Sequence, residues 1–90
     1  MDNQDRPAPP AASAPADQFY RGRIVRLSSG RQSGVVQSYS TGREIPFAFA
    51  HVVVLGDKRR FDDLHIATEV AYDVSWTSSG LRISVMKILN

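Results

Sequence analysis

Apolar and polar residues alternate along most of this chain with the period of two that β-strands impose, and no stretch sustains a strong helical pattern. The longest apolar run is Ile45-Pro-Phe-Ala-Phe-Ala-His-Val-Val-Val-Leu55, whose front half places Ile45, Phe47 and Phe49 on one face and Pro46, Ala48 and Ala50 on the other. This run, trailing residues included, is expected to be the central strand around which a small β-barrel closes. Pro46 has no N–H to give to a ladder, so it belongs at a sheet edge, a bulge or a strand start.

Four further strands flank it. Tyr20–Leu27 reads as strand one, with a bulge or bend where the adjacent Ile24 and Val25 break the alternation. Val35–Tyr39 reads as strand two, joined to the central run by the hairpin Ser40-Thr-Gly-Arg43. Val70, Tyr72, Val74 and Trp76 alternate against Ala71, Asp73 and Ser75, which defines strand four and places Trp76 in the core or at a barrel end. Strand five runs Leu81–Leu89, in phase at Leu81, Ile83 and Val85 until Met86 and Ile88 break it. Phe61-Asp-Asp-Leu-His65 reads as one helical turn. Five short strands in about 70 residues predict an all-β domain, a small closed or partly open antiparallel barrel, with Ile24, Val36, Ile45, Phe47, Val70, Tyr72 and Val74 inside.

Residues 1–18 hold four of the five prolines and little that could enter a core, so they read as a disordered Pro/Ala-rich tail ahead of a single domain, residues 19–90. Ninety residues bury too little surface for both a stable core and an elaborate catalytic cleft, and no enzyme activity or cofactor is expected. With no cysteine, packing alone must hold the fold. No signal-type segment and no apolar span near 18 residues is found, so a soluble cytoplasmic protein without membrane contact is expected.

Net charge is +2, but it is unevenly placed. Residues 19–60 carry Arg21, Arg23, Arg26, Arg31, Arg43, Lys58, Arg59 and Arg60 against Glu44 and Asp57, a balance of +6, while the stretches on either side are each −2. A basic half on a small barrel either attracts polyanions or simply keeps the surface solvated. Asp62, Asp63 and His65 invite a metal reading, but no three-ligand set has standard spacing, and acids that cap local N–H groups account for them. His51 is expected to be a partly buried, hydrogen-bonded residue. Ser28-Ser29-Gly30 and Ser78-Ser79-Gly80 lack the context of a nucleophile or phosphate loop and read as turns.

Set in order, these elements resemble the cold-shock domain. Gly22-Arg-Ile-Val-Arg-Leu27 answers the family's Gly-x-Val-x-x-Phe, Arg31-Gln-Ser-Gly-Val-Val36 falls on Lys-Gly-Phe-Gly-Phe-Ile, and Ile45-Pro-Phe-Ala-Phe49 falls on Val-Phe-Val-His-Phe. Phe61-x-x-Leu64-x-x-Ala67-x-x-Val70-x-Tyr72-x-Val74 echoes Phe-x-x-Leu-x-x-Gly-x-x-Val-x-Phe-x-Ile. The resemblance implies a five-stranded OB-type barrel that binds single-stranded DNA or RNA. It also implies a partly rewritten face, because Arg26, Ser33, Val35, Pro46 and Ala48 stand where the family carries outward aromatics. Phe49 and Phe61 remain as candidate base stackers, and the eight basic residues above as candidate phosphate contacts. The alternative is a protein-interaction barrel that has kept the fold and lost nucleic-acid binding.

Overall fold

A computed structural model describes residues 19–89; the expected tail, residues 1–18, and Asn90 lie outside the described residues. Six strands form one sheet: β1 (Tyr20–Ser28), β2 (Ser33–Ser38), β3 (Glu44–Ala48), β4 (Val53–Leu55), β5 (Glu69–Thr77) and β6 (Gly80–Ile88). Single 3₁₀ turns occupy Phe49–His51 and Phe61–Asp63, the second where a helical turn is expected. The sheet order is β3-β2-β1-β5-β6-β4. Every pairing is antiparallel except that of β4 with β6.

This architecture corrects the expected five-stranded antiparallel barrel in its strand count and in the parallel pairing of β4 with β6, and it takes the partly open of the two expected forms. The run Ile45–Leu55 is not one central strand. It leaves β3 at Ala48, turns through Phe49–His51 and re-enters the sheet as β4, so a single apolar segment supplies both outer strands. The turn is fixed by Val52 N–H donating to the Phe49 carbonyl at 3.2 Å, and the Phe49 ring packs edge-on against Phe61 with centroids 5.6 Å apart. As an edge strand β3 tolerates Pro46 without losing a ladder bond. The sheet is also open: β3 and β6 approach one another across the core, but among the described residues no ladder joins them.

The core follows the alternation. Ile24, Val36, Ile45, Phe47, Val70 and Tyr72 are buried with Phe61, Leu64, Ile83, Met86 and Ile88, while Val74 is half-buried against them. Two bulges reset the phase. One lies at Val25, between the pairs Ile24↔Val36 and Arg26↔Val35, where the adjacent apolar residues predict it. The other leaves Ser84 unpaired between Asp73↔Val85 and Val74↔Ile83, which is why Met86 and Ile88 point inward after Ile83 although the spacing is irregular. Gly34 is required by packing: a Cβ there would meet the Arg26 carbonyl oxygen at 2.5 Å and the Phe47 ring at 2.8 Å.

Trp76 is a further correction. It keeps the phase of Tyr72 and Val74 but is 75% exposed. The last β1–β5 pair is Tyr20↔Tyr72, so beyond that rung the β5–β6 hairpin extends past the body of the sheet and little packs over its inward face.

Candidate nucleic-acid interface

The outward residues of β1, β2 and β3 make one surface. Along β1, Gly22 and Ile24 are buried and Arg21, Arg23 and Arg26 are exposed: alternation turns Arg21 and Arg23 outward, and the bulge at Val25 resets the phase so that Arg26 joins the same row. Opposite them on β2 stand Gln37, beside Arg23, and Val35, beside Arg26. The Arg23 guanidinium donates to Gln37 Oε1 at 3.4 Å. On β3 the outward positions are Glu44, Pro46 and Ala48, paired with Gln37, Val35 and Ser33.

Arg26, Ser33, Val35 and Pro46 line one shallow cleft of ≈ 370 Å³ together with Leu27 and Gly34. The structure therefore gathers four of the five positions at which the resemblance implies aromatics, and the surface they make is small and largely aliphatic; the fifth, Ala48, borders a separate hollow beside His51. Arg26 is held by Glu44 at 3.2 Å, both side chains being solvent-exposed, which turns part of its charge inward along the face. Such an exposed pair contributes about 0–1 kcal/mol and yields readily to a phosphate.

The remaining candidates disperse. Arg31 is exposed on the turn between β1 and β2, and Arg43 lies at the far end of β2, in the hairpin closed by Ser38 N–H to the Arg43 carbonyl at 2.8 Å. Lys58, Arg59 and Arg60 are exposed in the loop after β4; Lys58 borders a depression shared with His65 and Ile66, not the β1–β3 cleft. Arg60 stands 4.0 Å from Asp62, a contact too long and too exposed to order it. Phe49 is half-buried. Phe61 is only 8% exposed and belongs to the core, which corrects its reading as a base stacker: its ring is needed beneath Phe49.

The acids of this loop cap it, with Asp63 Oδ2 accepting the Arg60 N–H at 3.1 Å, and among the described residues no group of three side chains could hold a metal ion. His51 is exposed, a correction: it borders a hydroxyl-rich hollow with Ser75, Thr77, Ser79 and Arg82 because the turn that carries it faces the β5–β6 hairpin. No described helix is long and apolar enough to cross a membrane.

Tyr39 was not among the candidates, although it continues the outward series Val35, Gln37 of strand two and that alternation is its signal. It is 52% exposed, and its N–H donates to the Arg21 carbonyl at 3.0 Å, which sets it beside the end of the arginine row.

No family model and no curated protein matches the sequence. Among solved structures the chain is similar to Drosophila Unr CSD456, with 25% identity and a TM-score of 0.58 over 79% of this chain and 26% of that one. This chain thus spans about a quarter of that structure's length. Its fold is cold-shock-domain-like.

Proposed function

We propose that residues 19–90 form a single-stranded DNA- or RNA-binding module that holds its ligand mainly through charge. The observation that carries this reading is the row Arg21, Arg23, Arg26 on the outward face of β1, the side of the fold on which the cold-shock resemblance implies binding. Loss of three or more stacking aromatics removes ~3–9 kcal/mol, whereas a micromolar complex has only about 8 kcal/mol in all. Base stacking on this face therefore cannot dominate. Guanidinium groups neutralise phosphate and also stack on bases, so the arginine row supplies part of what the aromatics no longer do.

Affinity for single strands is then modest, weakly dependent on sequence and steeply dependent on salt. For four phosphate contacts, log K against log salt falls with a slope of about −3. Titrating isotope-labelled protein with a short single-stranded oligonucleotide, at several salt concentrations, tests both the slope and the face. A salt-insensitive complex, or shifts confined to residues away from β1–β3, refutes it.

One observation favours a second reading. The aliphatic cleft at Val35 and Pro46 lies against β3, an outer strand with one unpaired edge, which suits an extended peptide of a protein partner. Absence of oligonucleotide binding even at low salt would favour that reading.

A further inference from the structure

All three strongly exposed aromatics of the described residues, Tyr20, Tyr39 and Trp76, lie at one end of the sheet, away from the centre of the β1–β3 face. Tyr20 opens β1 and packs on Tyr72 with ring centroids 5.6 Å apart, yet stays 54% exposed. Tyr39 follows β2 beside Arg21, both on the outward side of the sheet, whereas Tyr20 and Trp76 have the inward phase of Tyr72 and Val74. Trp76 is opposite Leu81 on the projecting hairpin, two residues beyond Val74 and so about 7 Å further along the strand.

Between Tyr20 and the hairpin is a cleft of ≈ 180 Å³. Tyr20, Tyr72, Val74 and Leu81 form its apolar wall, Ser40 and Arg43 part of its polar one, and no carboxylate lines it. It is smaller than the ~300–1,000 Å³ typical of sites for drug-sized ligands. A planar ring with an anionic group at its edge suits the chemistry: aromatic faces for the ring, hydroxyls for its polar rim and Arg43 for the charge.

We infer that this end of the sheet is a base-stacking subsite, in which a nucleobase of a single strand enters the cleft against Tyr20 while the strand rounds the end of β1 and β2, past Tyr39 and Arg21, to the arginine row on the outward face. The inference rests on the nucleic-acid reading above and adds to it a location for stacking that the β1–β3 face lacks. None of the three aromatics occupies a position at which the resemblance implies a stacker. Stacking has been moved from the middle of the strands to their end, where the open sheet and the overhanging hairpin leave aromatic faces uncovered.

Trp76 is the one tryptophan in the chain, so its emission reports this end alone. Adding oligothymidylate to the whole protein at low salt should shift or quench that emission. By anisotropy of the labelled strand, Tyr39→Ala and Trp76→Ala should each weaken binding by about tenfold, with unchanged melting because both side chains are exposed. Tyr20→Leu, which keeps an apolar contact on Tyr72, should do the same. An abasic strand of equal length should bind wild type and variants alike. If wild type binds, Arg23→Ala weakens it, and the aromatic variants and Trp76 emission show no change, the subsite is overturned while the proposed function stands. No binding by wild type at low salt overturns both.

Discussion

The two faces of β1–β3 have been treated differently. On the inward face Ile24, Val36, Ile45 and Phe47 stay large, aliphatic or aromatic, and buried, and Gly22 and Gly34 stand where a side chain would collide with the neighbouring strand. On the outward face the same strands carry Arg21, Arg23, Arg26, Ser33, Val35, Gln37, Glu44, Pro46 and Ala48, with no aromatic among them. Successive residues of a strand answer to different demands, one to packing and the next to whatever docks outside. A sheet can therefore hold its fold to the demands of its core while its outward surface changes, because the two sets alternate along each strand.

The largest effect that separates the faces is expected at Phe47. It is 2% exposed and packs against Gly34, so Phe47→Ala should destabilise by about 3–5 kcal/mol, a large share of the total stability of so small a domain. Pro46→Ala, one residue away and facing outward, should stay within about 1 kcal/mol. Chemical denaturation of the two variants checks this, and equal losses would mean that the faces are not independent.

Next in size is the charge row. Arg21→Ala and Arg23→Ala together should leave the melting temperature nearly unchanged, since exposed substitutions stay within about 0.5 kcal/mol each, yet flatten the salt slope of oligonucleotide binding by about 1.4. Arg26→Trp exchanges one phosphate contact for a stacking platform worth ~1–3 kcal/mol and should bind at least as tightly as wild type with a flatter salt slope. Glu44→Gln removes the one carboxylate of the three strands and frees Arg26 from its 3.2 Å partner, so binding should tighten by a few-fold at low salt. If these variants fold and none alters affinity, the outward face of β1 is not where the ligand lies.

Much of this contrast is legible in the sequence, because alternation states which residues share a face. The buried set from Ile24 to Tyr72, the bulge at Val25 and the turn at Phe61 all follow from local spacing. Spacing carries no information about partners, however. Val52–Leu55 has the same apolar texture whether it prolongs β3 or crosses to the free edge of β6, and the open six-stranded sheet depends on that choice. Trp76 has an inward phase, but β1 begins only at Tyr20, so β5 outruns the neighbour that would help to cover it. At the site, the arginine row emerges from the sequence, whereas the burial of Phe61 beneath Phe49 and the gathering of Tyr20, Tyr39 and Trp76 depend on contacts between distant segments.

The smallest expected effect lies outside both faces, at Ala67, where the cold-shock resemblance implies glycine. Ala67 has φ +74°, the left-handed region that a Cβ disfavours by roughly 1–2 kcal/mol. The backbone is held there because its N–H donates to the Ile24 carbonyl at 2.8 Å and the Ile24 N–H donates to the Thr68 carbonyl at 2.9 Å, continuing the β1–β5 bonding beyond the rung Arg23↔Glu69. Ala67→Gly relieves the Cβ clash at the cost of a more flexible unfolded chain, about 0.5–1 kcal/mol, for a net gain of roughly 0.5–1 kcal/mol. In a domain this small that gain appears as a melting temperature raised by several degrees. Gln32, at φ +49° and likewise a glycine in the family pattern, should respond in the same direction when replaced by glycine, but less, since it sits in an exposed turn. Neither residue faces outward on β1–β3, so oligonucleotide affinity at a temperature where all variants are folded should not move. A lowered melting temperature for Ala67→Gly would show that its methyl group contributes more than its backbone conformation costs, and a changed affinity would break the separation between the two faces.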